Sequence, residues 1–340
     1  MTMRYRLLGR TGLRVSEMAL GTMTFGTEWG WGADRAEAGR IFDHFAEAGG
    51  NFVDTADRYT DGSSERFVGE LVAADRERFV VATKYTLSRR AGDPNASGNH
   101  RKNLVHALDA SLGRLGLDFV DLYWVHVWDR YTPIEETMAA LDAAVRAGKV
   151  LHVGISDTPA WVVARANTLA EARGLTPFCA YQGQYSLIER TVERDVLPMA
   201  RDLGLTFTAW GALASGILSG KYLDGGGDDG RVKKTANDAH ADARNTAIAR
   251  EVVALAGELG VSPSQVALRW VHDQQNVVPI LGVRTLAQLK DNLGALAIAL
   301  TDAERERLEA AGRIDLGFPH NFGSGTRAMA YGGTYDLIDP

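Results

Sequence analysis

The chain has 340 residues, 45% of them hydrophobic and 24% charged, with a formal net charge of −6. This is the balance of an ordinary globular protein, and the acidic sign argues against a nucleic-acid partner, whose phosphates want a basic surface. No apolar run approaches the roughly 18–20 residues of a membrane span, the N-terminus (Met1 to Arg6) lacks a signal-type apolar stretch, and the single cysteine, Cys179, excludes an internal disulfide framework. A cytoplasmic protein is expected, with Cys179 a buried and inert thiol in its apolar run.

Along the chain, Tyr5 to Val15 reads as a hairpin turning at Arg10-Thr11. Short apolar runs then close near Gly21, Asp54, Lys84, His126, Ser156, Gln182, Trp210 and Gly282, and each is expected to be a strand. Between them apolar residues recur at helical spacing, as at Ile41, Phe42, Phe45 and Ala48. Asp34-Arg-Ala-Glu37, Ser262-Pro-Ser-Gln265 and Thr301-Asp-Ala-Glu304 each put an oxygen at a helix N-cap and a Glu or Gln three residues on. Pro263 falls at the first helical position, where its missing N–H costs nothing. Gly148, Gly174, Gly204 and Gly260 are expected to close helices.

Spacing sets the architecture. Asp54 to Lys84 and His126 to Ser156 are 30 residues each, Ser156 to Gln182 is 26, and Gln182 to Trp210 is 28. A strand and its crossover helix need about 30, so eight such units predict a (β/α)8 TIM barrel with an N-terminal hairpin and extra helices. The 72 residues from Trp210 to Gly282 exceed one crossover. They are read as one unit carrying a Gly/Asp-rich surface loop, Gly225 to Gly230, and two helices, Arg244–Gly260 and Ser262–Gln274. The whole of 1–340 is expected to form one barrel domain, with the Gly- and aromatic-rich tail 313–340 either a lid or a disordered end. A doubly wound sheet is the rival, but it wants a Gly-rich phosphate turn after its first strand, and the chain has no GxGxxG.

In a parallel barrel the C-terminal strand ends converge on one mouth. Asp54, Lys84 and His126 fall there, with Tyr59 on the loop after Asp54. A lysine ammonium beside a phenol should lower its pKa from about 10, and an aspartate would hold that lysine in place. Tyr59 could then pass a proton to a carbonyl oxygen while His126 orients it. His126 and Asp129 have no third partner at metal-ligand spacing, so no metal is expected, and a metal-dependent barrel hydrolase is disfavoured.

The same residues carry a resemblance. Asn51-Phe-Val-Asp-Thr-Ala-Asp-Arg-Tyr59 with Gly62-Ser-Ser-Glu65, Val120 to His126, Gly148 to Ser156, and Trp210 to Lys221 resemble the signatures of the aldo-keto reductases, in order from about residue 4 to 312. The stretches His126–Glu136, Asp157–Val163 and Thr176–Gln184 resemble its aryl-alcohol dehydrogenase branch, which is akin to the potassium-channel β-subunit-like barrels. The family implies a (β/α)8 barrel and NADPH/NADP+ as cofactor. It also implies a catalytic tetrad of Asp54, Tyr59, Lys84 and His126.

By position, the resemblance places Gly21, Thr22, Met23 and Asp54 against the cofactor. It gives Ser156 and Gln182 to the nicotinamide carboxamide, and Trp210 to stacking on the ring. The loop of Gly211, Leu213, Ser215, Gly216 and Lys221 would wrap the pyrophosphate, with Arg231 reaching phosphate. Gly282, Arg284, Gln288, Asp291 and Asn292 would hold the adenosine, Arg284 taking the 2′-phosphate as guanidinium suits phosphate. Two positions depart from the family pattern. Asp157 stands where Asn is frequent, and an ionised Asp donates no hydrogen bond; Ala212 lies where Pro is common.

Phe25, Trp29, Trp31 and Trp128, near the expected mouth, suit a flat aromatic or bulky substrate. The expected reaction is reversible, NADPH-dependent reduction of aldehydes or ketones to alcohols. The partner is a small carbonyl or alcohol, with monomer or homo-oligomer left open. The alternative is a redox-sensing regulatory subunit that binds NADPH and turns it over slowly.

Overall fold

The computed structural model describes residues 3–223 and 242–338. A closed barrel of eight parallel strands organises them, in the order β10-β3-β4-β5-β6-β7-β8-β9. The strands are β3 (Ala19–Gly21), β4 (Phe52–Asp54), β5 (Val80–Tyr85), β6 (Val120–Val125), β7 (Val150–Ser156), β8 (Phe178–Gln184), β9 (Thr206–Trp210) and β10 (Val277–Gly282). Before them, β1 (Tyr5–Leu7) and β2 (Arg14–Ser16) pair antiparallel, Tyr5 opposite Ser16. The turn between them holds Arg10 and Thr11, closed by Leu8 N–H to Leu13 O at 2.9 Å.

Strand length follows from burial on both faces. One set of side chains fills the barrel, including Phe52, Ala82, Leu122, Trp124, Ala180 and Val278. Alternate residues such as Val53, Val81, Tyr123, Val153 and Phe207 point out against the helices. Such strands read as unbroken apolar runs, which is why their ends were legible. β8 runs two residues past Gln182 because Gly183 and Gln184 still pair with Ala209 and Trp210, and β5 runs one past Lys84 because Tyr85 pairs with Val125.

The outer helices are α1 (Arg35–Glu47), α2 (Ser63–Val72), α3 (Arg101–Leu115), α4 (Ile134–Arg146), α5 (Ala160–Arg173) and α6 (Val196–Asp202). They continue as α7 (Ala243–Leu259), α8 (Pro263–His272), α9 (Leu286–Leu293) and α10 (Asp302–Gly312). Ser262 and Thr301 form full capping boxes with Gln265 and Glu304. Asp34 caps α1, but the Glu37 carboxylate turns away and accepts from the Leu286 N–H at 2.6 Å, tying α1 to the start of α9. After α10 the tail forms two short helices, α11 (His320–Gly325) and α12 (Arg327–Ala330), with Phe318, Phe322, Met329 and Leu337 exposed. Gly225 to Gly230 lies outside the described residues. No helix among the described residues is long and apolar enough to cross a membrane. Cys179 is buried and free, and burial pushes its thiol up to about 12.

Candidate active site

The centre of the mouth is built on a lysine. β5 turns the Lys84 side chain into the barrel, where it is fully buried. Its ammonium has three N–H donors, and all three are used. They go to Asp54 Oδ2 at 2.5 Å, the Thr55 carbonyl at 2.8 Å and the Tyr59 hydroxyl at 3.1 Å. Burial alone would lower the Lys84 pKa; Asp54 and then Tyr59 outweigh it, so the shift is upward and the ammonium persists. The second Asp54 oxygen accepts from Gln182 Nε2 at 3.1 Å. Thr22 braces the end of β4 from beneath, its N–H and hydroxyl both reaching the Asp54 carbonyl, at 2.9 and 3.0 Å.

Tyr59 starts a tight turn in which Thr60 and Asp61 take φ of 44° and 52°. Such left-handed backbone costs a non-glycine residue about 1–2 kcal/mol, and the Thr60 hydroxyl helps hold it by donating to the Phe25 carbonyl at 2.6 Å. The Tyr59 hydroxyl accepts from Lys84, which leaves its own proton for a group in the cleft. Its pKa is raised by burial, with Lys84 pulling it down and Asp54 pushing it up. Charge alone suggests a lowered value; desolvation reverses the sign. A protonated phenol is the form that can donate.

His126 follows β6 and meets Tyr59 edge-on, with ring centroids 5.9 Å apart and planes at 82°. Burial, and then the Lys84 charge, lower its pKa to about 3. The imidazole is therefore neutral at physiological pH. Its Nδ1 is buried with no partner among the described residues.

These groups open into a cleft of about 990 Å³, at the upper end of the roughly 300–1,000 Å³ usual for ligand sites. Asp54, Tyr59 and His126 line it, while Lys84 lies beneath. Gly21, Met23, Ser156, Asp157 and Gln182 form the adjoining wall, and Trp210 leads to a run of Gly211, Leu213, Ser215, Gly216 and Lys221. Gly282, Arg284, Gln288, Asp291 and Asn292 line the far end. Thr22 does not line the cleft; it is buried below it. Arg231 lies outside the described residues.

The far half of the cleft has groups that could hold an anionic ligand. Ala214, Ser215 and Gly216 have φ of 47°, 57° and 94°, a bent backbone of the kind that turns N–H groups toward an anion. A Cβ on Gly216 would come within 2.7 Å of Lys221 Nζ, so the ammonium crosses directly over this loop. The Arg284 guanidinium makes no ion pair among the described residues and is half-buried in the cleft. Asp291 lines the cleft, and its carboxylate also accepts from Ser262 Oγ at 2.9 Å and Gln265 Nε2 at 3.1 Å, tying α9 to the start of α8. Gln288 Oε1 accepts from the Arg284 N–H at 2.8 Å and shapes the turn there.

The expected aromatic wall needs correcting. Trp29 and Trp31 line the cleft, with centroids 5.9 Å apart. Phe25 is fully buried in the core. Trp128 turns to a separate cleft of about 260 Å³ beside α4 and α5, where it meets Trp161 edge-on. Leu87 and Ile188, which carried no sequence signal, supply apolar lining instead. Asp57 also escaped notice, although it sits between Asp54 and Tyr59. It is buried behind the tetrad with neither oxygen hydrogen-bonded, and Arg89 Nε is 3.7 Å away. No cluster of His, Cys, Asp or Glu suited to a metal occurs among the described residues.

Known proteins resemble this chain over most of its length. Residues 17–313 match the aldo/keto reductase family model. Norsolorinic acid reductase stcV of Emericella nidulans is 39% identical over 92% of this chain and 82% of its own length. Aldo-keto reductase ausK of Aspergillus calidoustus is 38% identical over 94% of this chain and 84% of its own. Aryl-alcohol dehydrogenase GME11368 of Pestalotiopsis microspora is 38% identical over 94% and 85%.

Proposed function

The chain belongs to the aldo/keto reductase family, oxidoreductases of small carbonyl compounds, and from that premise we propose that it is an NADPH-dependent reductase of aromatic or bulky aldehydes and ketones, running in reverse as an alcohol dehydrogenase. The observation that carries this is the chain of contacts from Asp54 through the Lys84 ammonium to the Tyr59 hydroxyl, beside a neutral His126. When bound, the nicotinamide would supply a hydride to the carbonyl carbon. Tyr59 gives its proton to the carbonyl oxygen. Lys84 stabilises the phenolate left behind, Asp54 holds Lys84, and His126 orients the oxygen by a hydrogen bond.

Lys221 and the bent loop 211–216 would take the pyrophosphate, and Arg284 the 2′-phosphate. Ser156 and Gln182 would hold the carboxamide, and Trp210 would stack on the ring. Trp29, Trp31, Leu87 and Ile188 favour a flat apolar substrate. The name of one relative, an aryl-alcohol dehydrogenase, supports the aromatic preference. A cytoplasmic enzyme fits the acidic, single-cysteine chain. The complete proton path favours an enzyme over a slow redox-sensing subunit.

The test is a panel of aromatic and aliphatic aldehydes and alcohols followed by NADPH absorbance in both directions. Turnover is expected, with kcat/KM higher for aromatic than for short aliphatic aldehydes. NADPH binding without turnover on any carbonyl would favour the sensor.

A further inference from the structure

Asp157 is an acidic side chain at the mouth that the proton path does not use. It directly follows β7 and lines the cleft. Its backbone is left-handed, φ 42°, a conformation that Asp and Asn tolerate better than most residues. From that turn Oδ1 accepts a hydrogen bond from Trp210 Nε1 at 3.1 Å. Ser156 pairs with Gln182, and Gln184 with Trp210, so β7, β8 and β9 join Asp157 and Trp210 into one wall.

The field of this carboxyl reaches the reaction centre. Asp157 is among the groups that raise the Tyr59 pKa, and burial raises its own against the Trp210 hydrogen bond and Lys84. By surface area Asp157 is exposed at the rim, so solvent tempers the effect of that burial. Asp54 is ion-paired with Lys84. Asp157 has no ion-pair partner among the described residues.

Trp210 links the tetrad to the bent loop that begins at Gly211. A ring that gives hydride beside Tyr59, with phosphates on that loop, must lie along this wall. A nicotinamide is uncharged when reduced and carries one positive charge when oxidised. A fixed carboxylate distinguishes the two; an amide of the same shape does not.

We propose that Asp157 sets the cleft's preference between cofactor oxidation states: its carboxylate, held by the Trp210 indole N–H, favours the cationic oxidised nicotinamide over the neutral reduced one. This rests on reading the cleft as a nicotinamide site. By linkage, tighter binding of the oxidised form makes the bound reduced form a stronger hydride donor. The enzyme's internal equilibrium then leans toward alcohol, and release of the oxidised cofactor slows.

The experiment is calorimetric measurement of Kd for NADP+ and NADPH, and for NAD+ and NADH, on wild type, Asp157→Asn and Trp210→Phe. Asp157→Asn keeps the shape and removes the charge. It is expected to weaken the oxidised form about tenfold relative to the reduced form, the scale of one nearby charge at partial exposure. Trp210→Phe keeps the charge but loosens it, and should move the ratio in the same direction by less. An unchanged ratio in Asp157→Asn, with both forms still bound, would overturn this proposal and leave the cofactor reading intact. Failure of wild type to bind any of the four dinucleotides would overturn both.

Discussion

At the N-terminal ends of the strands the hairpin closes the barrel, with Leu8 and Val15 packed against Phe52, Leu122 and Trp124. At the C-terminal ends the same barrel opens into a cleft of about 990 Å³. Below, the buried Glu17 carboxylate accepts from the Arg4 N–H at 2.7 Å and meets His272 Nε2 at 3.0 Å, which in turn meets Arg6 at 3.1 Å. Above, the buried oxygens of Asp57 and His126 Nδ1 have no hydrogen-bond partners. Backbone conformation divides the same way. Of the seven non-glycine residues with positive φ among the described residues, Thr60, Asp61, Thr86, Asp157, Ala214 and Ser215 follow strand C-termini, and Asn276 alone precedes a strand. Unpartnered buried atoms occur below as well, at His272 Nδ1, but the strained backbone gathers at the mouth, where His126 Nδ1 is also left without a partner among the described residues.

Four substitutions break or sharpen that contrast. Lys84→Met should have the largest effect, because it strands Asp54 in the interior and removes the phenolate's counter-charge. About 3–5 kcal/mol of stability should be lost, with turnover down about 10²–10⁴-fold. Thermal melting and steady-state rates would show it, and a stable, active variant would mean that the pair is ornamental.

Gly9→Ala probes the closed end. Gly9 has φ of 58°, and a Cβ there would lie 2.1 Å from the Cys179 carbonyl oxygen. A loss of about 2–4 kcal/mol is expected from overpacking and strain, with kcat per folded molecule unchanged. A drop in kcat in the properly folded fraction would mean that the two ends are coupled.

Arg284→Ala should weaken NADPH by about 10–100-fold, the worth of a charge-assisted contact, and NADH by less than about twofold. Equal losses would refute the 2′-phosphate assignment.

Asp57→Asn has the smallest effect and a defined pH signature. Burial, then Glu65, raise the Asp57 pKa to about 7, against Arg89, Arg114 and Lys84. The folded state thus holds this proton more tightly than the unfolded chain. The wild type is favoured at low pH and loses that advantage as pH rises from about 4 through 7. The Asn variant, lacking the buried charge, should melt higher than wild type above pH 7, by about 1–3 kcal/mol of stability, and match it near pH 4. A difference independent of pH would contradict the burial of an unpaired carboxylate.

The positions of Asp54, Lys84 and His126 were legible because doubly buried strands end abruptly in polar residues. The hairpin and the paired helices α7 and α8 were legible for similar reasons, through glycine turns and N-caps. What a residue faces was harder to read. Phe25 and Trp128 lie on loops near the mouth, yet one points to the core and the other to a side cleft, and no periodicity in a loop distinguishes these. Asp57, two residues from Tyr59, faces the opposite side. Glu37 and Asp291 found partners across the fold, from Leu286 and from Ser262 with Gln265, that spacing along the chain does not reveal. For Tyr59 the neighbouring charges could be foreseen, but the burial that outweighs them could not.

The most direct measurement is NADPH oxidation with 4-nitrobenzaldehyde by wild type and by Tyr59→Phe, alongside the NADPH Kd of each. Loss of the phenolic proton should lower kcat by about 10²–10⁴-fold while the Kd changes by less than about threefold. Near wild-type turnover by the Phe variant would contradict Tyr59 as the proton donor.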